Sequence, residues 1–397
     1  MSSFGLTPLP AISRLTPRVW RILGLNPGPY TLQGTNTYLV GTGASRLLID
    51  TGAGVRGYVE NVVECMRQSG CERLEAILIT HWHHDHTGGL ADLLTYFASP
   101  SSSASSRSSS PVSPIASSGS SLGSTASTED SSPASSTYSS SSSSASLAPI
   151  PVYKHQPHLR GAAPPSLPYL PLTPTSRFTV PGATLTCLAT PGHTADHTSF
   201  LLAEEHALFI GDTVLGHGTT VFRHLYDYTR TLQAVSQVAP LLLYPGHGAV
   251  VVDVQAKLAD YLQHRRMREQ QLLRVVRDTS AQQHRAATAV ELVAKVYPPL
   301  SDAVLPAAIQ NVTLHLEKLA LEGEVRSEEM EAERRSGGSD IGSVGGKVRG
   351  GGWDEGSESG GEEWEKEYGE LYESTSAMVQ RKSQWKWTAT TGTNGSL

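Results

Sequence analysis

Residues 73–89 read RLEAILITHWHHDHTGG, a short apolar run that ends in four histidines and one aspartate. No other stretch constrains the fold as strongly. A core cannot satisfy so many ring nitrogens at once, and a solvated surface has no need of them packed together. The apolar run has the pattern of a buried strand, so the string H-x-H-x-D-H stands at the end of a rigid element. In an extended turn, His81 and His83 face one side while Asp85 and His86 reach another. Such a string feeds two adjacent ions, and two ions need more ligands than four.

The downstream chain offers them. TLTCLATPGHT, SFLLAEE, ALFIGD and LLLYPGHG each read as a strand, and three of the four end in a tight Gly-containing loop bearing His193, Asp212 or His247. His81, His83 and His193 are expected to hold a first ion and Asp85, His86 and His247 a second, with Asp212 bridging both. Imidazole and carboxylate without thiolate point to zinc, two ions per chain. Two such ions lower the pKa of a shared water and polarise the substrate oxygen, and Asp85 is the expected proton acceptor. The nucleophile is then water, so hydrolysis is the expected reaction class. Upstream, NTYLVG and RLLIDTG read as paired strands and VENVVECMRQ as a helix. Strands carrying ligands at their ends, with helices between them, predict a layered α/β sandwich with its site along one edge.

The 397 residues divide unevenly. Residues 98–150 are about half serine with Tyr138 as sole aromatic, too little apolar surface to offset chain entropy, and read as an unstructured loop insertion. Residues 331–375 read as an unstructured acidic Gly-rich tail. The sandwich is thus expected in two parts, 1–97 and 151–254, followed by a helical winged-helix-like unit over 255–330 and a C-terminal segment over 376–397. In that unit Leu305, Ile309, Val312, Leu316 and Leu319 give one helix an apolar face, ended by Gly323. The net charge of -6 comes largely from the tail and does not decide the substrate. Cys65, Cys71 and Cys187 have neither disulfide nor metal spacing, as in an intracellular protein. No apolar run spans a membrane, so no membrane partner is expected. The expected location is cytoplasmic; a run without Asp or Glu over residues 1–49, bearing Arg14, Arg18, Arg21 and Arg46, leaves mitochondrial import as the alternative.

The motifs RILGLNPGPYTLQGTNTYLVGTG, LLIDTG, THWHHDHTGG, TPGHTADH, GHGTTVF and YPGHG resemble the metallo-β-lactamase superfamily. HRRMREQQLL and LHLEKLALEGEV match as well, and through all these stretches residues 18–97 and 152–326 resemble one branch of it more closely. That branch holds fungal lactamase-like thioesterases of aromatic polyketide pathways and the mitochondrial β-lactamase-like endoribonuclease. The resemblance implies an αββα sandwich with zinc between two sheets, Asp50 supporting the histidine loop, and His197 capping or packing it. His217 and Thr219 are candidates to line the cleft. The favoured substrate it implies is an aromatic polyketide thioester on the acyl carrier protein of a polyketide synthase. The alternative is single-stranded RNA, guided by the basic run HRRMR at 264–268, which otherwise reads as a solvated helix face. His155, His158, His206, His224, His264, His284 and His315 lack partner spacing and are expected in surface or packing roles.

Overall fold

A computed structural model describes residues 5–99, 149–155, 169–302, 304–335 and 380–390. Nearly all of the serine-rich insertion and the acidic tail, together with His158, lies outside the described residues.

The first layer and sheet are β1 (Ile12–Arg14), β2 (Val19–Leu23), β3 (Asn36–Val40), β4 (Ser45–Ile49), α1 (Tyr58–Ser69), β5 (Arg73–Ile79), α2 (His84–Thr87), α3 (Leu90–Ala98), β6 (Val152–Lys154) and β7 (Tyr169–Pro171). The strands lie side by side in chain order. The hairpin strands β1–β4 are antiparallel, whereas β4 to β7 run parallel, as connections through α1 and α3 require. The second sheet takes β8 (Arg177–Val180), β9 (Ala183–Ala189), β10 (Thr198–Leu202) and β11 (Ala207–Gly211), then crosses through α4 (Leu225–Val238) to β12 (Leu242–Pro245).

Strand alternation explains why β3, β4 and β11 are buried at every position. Tyr38, Val40, Leu47, Ile49 and Leu78 meet Leu185, Phe200, Leu202, Phe209 and Tyr244 of the other sheet in the central core. The intervening Leu39, Leu48, Ile77 and Ile79 pack outward on Tyr58, Val62 and Leu90 of α1 and α3. On the far side Leu208, Ile210 and Leu243 pack on Leu225, Tyr228 and Leu232 of α4. Side chains at successive strand positions point to opposite faces, so two covered faces demand the near-continuous apolar runs seen in the sequence. The layer order is therefore helix, sheet, sheet, helix. The loops that carry residues 81–86, His193, Asp212 and His247 converge at one edge of the strands.

The chain then enters α5 (Val254–Gln283), whose first half packs through Leu258 and Tyr261 on the sandwich and whose second half packs through Leu272 and Val276 on a separate core. That core holds β13 (Ala287–Thr288), α6 (Ala289–Val296), α7 (Leu305–Leu321), β14 (Val325–Arg326), α8 (Glu328–Arg335) and β15 (Lys386–Ala389). Thr288 and Glu291 form a reciprocal capping box that starts α6. The apolar face expected for α7 is present: Val312, Leu316 and Leu319 are buried, and Leu305 and Ile309 pack beside them. Gly323, at φ +79, follows its end. The C-terminal segment is not separate from this unit. β15 lies between β13 and β14, Trp387 is fully buried, and Lys382 Nζ reaches Glu317 at 2.6 Å. Among the described residues no helix is long and apolar enough to cross a membrane.

Candidate metal centre

The end of β5 brings His81 to the sandwich edge, and α2 (His84–Thr87) carries Asp85 and His86 into a second group beside that of His81 and His83. The remaining ligand types arrive from the loops after β9, β11 and β12. His81, His83, His193 and Asp212 form one group and Asp85, His86 and His247 another, each with ligand atoms within 4.8 Å of one another. Asp212 stands between the groups: its Oδ2 is 3.6 Å from His193 Nε2 and 3.3 Å from His247 Nε2, and its Oδ1 is 3.4 Å from His86 Nε2. Asp85 Oδ2 is 3.2 Å from His247 Nε2 and 3.4 Å from His86 Nε2. His84, the remaining histidine of the string, is exposed and belongs to neither group.

Hydrogen bonds behind the rings decide which nitrogen faces inward. His193 Nδ1 can only donate to Val221 O, 2.7 Å away, leaving the Nε2 lone pair free toward His83 Nδ1 at 3.0 Å. The Thr80 hydroxyl donates to Asp50 Oδ2 at 2.8 Å, so its oxygen accepts from His81 Nδ1 at 3.0 Å. His81 Nε2 is then turned toward His83 Nδ1 at 2.8 Å. His86 Nδ1 lies 2.8 Å from Asp50 Oδ2. Asp50 thus supports the histidine loop, held in the left-handed region at φ 59 that Asp tolerates better than most residues. His197 is fully buried, accepts from Asp212 N at 3.1 Å through Nε2, and meets Thr190 Oγ1 at 2.8 Å. It therefore acts on the loop of Asp212.

The donor set fits divalent ions on physical grounds. His86 Nε2 and Asp212 Oδ1 are buried without a hydrogen-bond partner, and buried polar atoms are seldom left so. Three imidazole nitrogens converge at 2.8–3.0 Å, where only a shared proton or a cation relieves lone-pair repulsion. Oxygen and nitrogen ligands without sulfur suit a borderline or harder ion. Gly246 is required at the centre, because a Cβ there would stand 2.2 Å from Asp212 Oδ1.

Protonation differs within the cluster. Burial, and then the neighbouring imidazoles, hold His81 and His83 well below the usual range, and burial lowers His193. Burial opposes charge on His86 and His247 too, but Asp85, Asp212 and Asp50 around His86, and Asp212 and Asp85 around His247, outweigh it. His86 is held well above the usual range and His247 at about 9. Burial also resists charge on Asp85 and Asp212, yet His86 and His247 keep both carboxylates ionised far below the usual range. Burial takes His197 down to about 3, so it stays neutral.

Several supporting residues escaped the sequence reading. Thr35 Oγ1 donates to Asp85 Oδ2 at 3.1 Å and is itself held by Asn26. Asn36 Nδ2 donates to Pro245 O at 2.9 Å and Gly248 O at 2.8 Å, and Tyr38 OH to Pro245 O at 2.7 Å, fixing the loop of His247. Lys154 and Asp196, both buried, form an ion pair that ties β6 to the loop of His193. His217 and Thr219 are exposed, and among the described residues neither hydrogen-bonds to the seven.

The basic run departs from expectation. Arg266 is exposed, but Arg265 is only 4% exposed and Arg268 lies 4.1 Å over the Tyr297 ring. The run is therefore not a uniform solvated face. His315 is buried against Phe222, a packing role.

A family model described as the metallo-beta-lactamase superfamily matches residues 30–247, and one described as the beta-lactamase associated winged helix domain matches residues 288–334. A Caenorhabditis elegans protein named Beta-lactamase-like protein 2 homolog is 35% identical over 339 residues, covering 85% of this chain and 96% of that one. The Atrochrysone carboxyl ACP thioesterase of Aspergillus chevalieri is 34% identical over 307 residues, covering 77% and 81%. Among solved structures, a beta-lactamase domain protein from Burkholderia ambifaria superposes with a TM-score of 0.56 at 16% identity, covering 82% and 93%, a likeness of fold. Fold, ligand cluster and relatives agree: the chain belongs to the metallo-β-lactamase superfamily of hydrolases and carries the winged helix domain associated with it.

Proposed function

We propose that His81, His83 and His193 hold one zinc ion, that Asp85, His86 and His247 hold a second with Asp212 shared, and that the protein hydrolyses an acyl thioester. The substrate proposed is an aromatic polyketide on the acyl carrier protein of its synthase. The observation that carries the hydrolase reading is the pair of adjacent ligand groups, with His86 Nε2 and Asp212 Oδ1 between them buried and 3.4 Å apart without a hydrogen bond. The thioester is supported by the Aspergillus relative named for that activity.

When bound, two zinc ions supply a water of lowered pKa and polarise the carbonyl oxygen. Asp85 accepts the proton of the attacking water, aided by Thr35, which steadies its Oδ2. The water oxygen bonds to the thioester carbon, the C–S bond breaks, and Asp85 returns the proton to the departing thiolate, leaving a carboxylic acid and a thiol. Cysteine takes no part as nucleophile: burial pushes Cys65 to about 12 and Cys71 and Cys187 to about 11. Tyr30, 79% exposed, and Val221, 58% exposed, sit on the loops beside Thr35 and His193 and offer apolar surface to an aromatic acyl group.

The test offers the zinc-loaded protein and its Asp85→Asn variant an aromatic polyketide thioester on its carrier protein and, separately, a single-stranded RNA. The expected result is release of the acid by the parent, a loss of about 100-fold or more in the variant, and intact RNA. RNA cleavage that disappears in the variant, with the thioester untouched, would replace this reading by an endoribonuclease. Arg265 is unsuitable for separating the two because it is buried; Arg266 is the exposed basic position to neutralise in the RNA arm.

A further inference from the structure

Lys257, Tyr261 and Arg265 succeed one another at spacing four along α5 and so share one face. That face meets the loop between Asp212 and Leu225. Leu215 N donates to Tyr261 OH at 3.2 Å, and Tyr261 OH donates to Gly218 O at 2.9 Å. Lys257 Nζ donates to the same carbonyl at 3.2 Å. The Arg265 guanidinium lies 4.5 Å over the Phe222 ring and 5.5 Å from the Tyr228 ring, and its Nη2 stands 3.5 Å from Thr220 O. Its Nε is buried without a partner. A guanidinium is costly to bury, and Arg265 sits in a helix whose outer face would solvate it freely.

What the buried cation touches, residues 220–222, is the stretch that holds His193. Val221 O accepts from His193 Nδ1 at 2.7 Å, and Thr220 Oγ1 lies 3.4 Å from the same nitrogen. The far end of the stretch is laced to the loop of His193, because Arg223 N and His224 N both donate to Gly192 O, at 2.8 and 3.1 Å.

We propose that the Lys257–Tyr261–Arg265 face of α5 is a positioning device for His193. It fixes the 215–222 loop, and the loop fixes the tautomer and tilt of the imidazole. The inference rests on the metal-centre reading above. Because α5 continues into the winged-helix unit, the device also joins that unit to one half of the cluster. Glu269 meets Lys318 of α7 at 3.1 Å, and the ring of His315 on α7 stands edge-on to Phe222 at 6.4 Å.

The test uses the full chain with Arg265→Met, Arg265→Lys and Tyr261→Phe, alone and combined with His193→Asn. Zinc is titrated against a chromophoric chelator to give the affinity of each ion, and cobalt absorption reports the geometry of the two positions. The expected result is that Arg265→Met weakens one ion by about 10–100-fold, the usual cost of disturbing a group that holds a ligating imidazole, and spares the other. Arg265→Lys restores part of the loss. In the His193→Asn background Arg265→Met weakens the remaining ion no further. Tyr261→Phe keeps the packing of its ring and moves the same ion in the same direction, so the inference is decided even if Arg265→Met does not fold. Folded variants that bind both ions like the parent, or lose both together, overturn it. A parent that takes up no divalent ion overturns the metal-centre reading instead.

Discussion

His81, His83 and His193 stand against one another, whereas His86 and His247 stand against carboxylates. The residue types are the same and the burial is similar, yet the two halves hold protons in opposite ways. In the first, burial and mutual repulsion keep the imidazoles neutral, with lone pairs already turned inward. In the second, Asp50, Asp85 and Asp212 overcome burial and hold His86 and His247 as imidazolium. The difference teaches that a ligand cluster can be kept assembled in two ways. One half waits as bare lone pairs. The other is held by ion pairs, whose protons a bound metal would have to displace.

The most damaging way to break this comparison is to remove what the halves share. Asp212 approaches His193, His86 and His247 within 3.3–3.6 Å. Asp212→Ala is expected to lose both ions and to lower hydrolysis by more than about 100-fold, read from metal content and kcat/KM. Retention of both ions would mean that the halves are independent. Asp50→Asn is the smaller, one-sided case, because its carboxylate touches His86 Nδ1 and Thr80. It is expected to weaken the second ion by about 10–100-fold while its effect on the first is confined to the Thr80–His81 contact.

Proton counting sharpens the comparison further. At pH 7 the second half carries protons on His86 and His247 that binding has to expel, while the first carries none. Filling the second half is therefore expected to release about two protons into a weakly buffered solution, and filling the first close to none. Its affinity should climb with pH as His247, at about 9, and His86, also raised, lose their protons, while the first stays flat to well below the usual histidine range. Equal proton release by both ions would erase the distinction.

Much of this was legible in the chain. The seven ligand types sit in strand-end loops whose Gly and Pro residues announce themselves, and burial on both faces left the runs 38–40, 47–49 and 207–210 apolar. The supporting shell was not, because it is made by residues that look ordinary in sequence. Thr35 and Asn36 read as strand-start polar residues; folding alone brings Asp85 to Thr35 and the Pro245–Gly248 loop to Asn36. Arg265 lies in a run that reads as solvated, since Phe222 and Tyr228, which cover it, come some 40 residues earlier. β15 is separated from β14 by a long Gly/Glu-rich stretch, so no local pattern could pair Trp387 with Ala287.

The smallest expected effect tests both halves at once, in protein stripped of metal. His86 and His247 have folded values above the ordinary histidine value of about 6.5, so their contribution to stability is complete below that pH. It is lost as pH rises through the folded values, for His247 at about 9. His81, His83 and His193 have folded values below it, so the unfolded chain takes up protons on them as pH falls under about 6.5, and stability falls in that direction. Asp85 and Asp212 add a further loss only below about pH 4, where the unfolded carboxylates protonate. The melting temperature should therefore peak near pH 6.5 and decline on both sides, by about 2–4 °C per kcal/mol. His247→Asn should reduce the alkaline limb, leaving the share of His86, and spare the decline between about pH 6.5 and 4; His193→Asn should ease that decline and leave the alkaline limb. An alkaline limb that survives His247→Asn at full slope would place the excess proton elsewhere, and the contrast between a neutral half and a charged half would fail at its charged end.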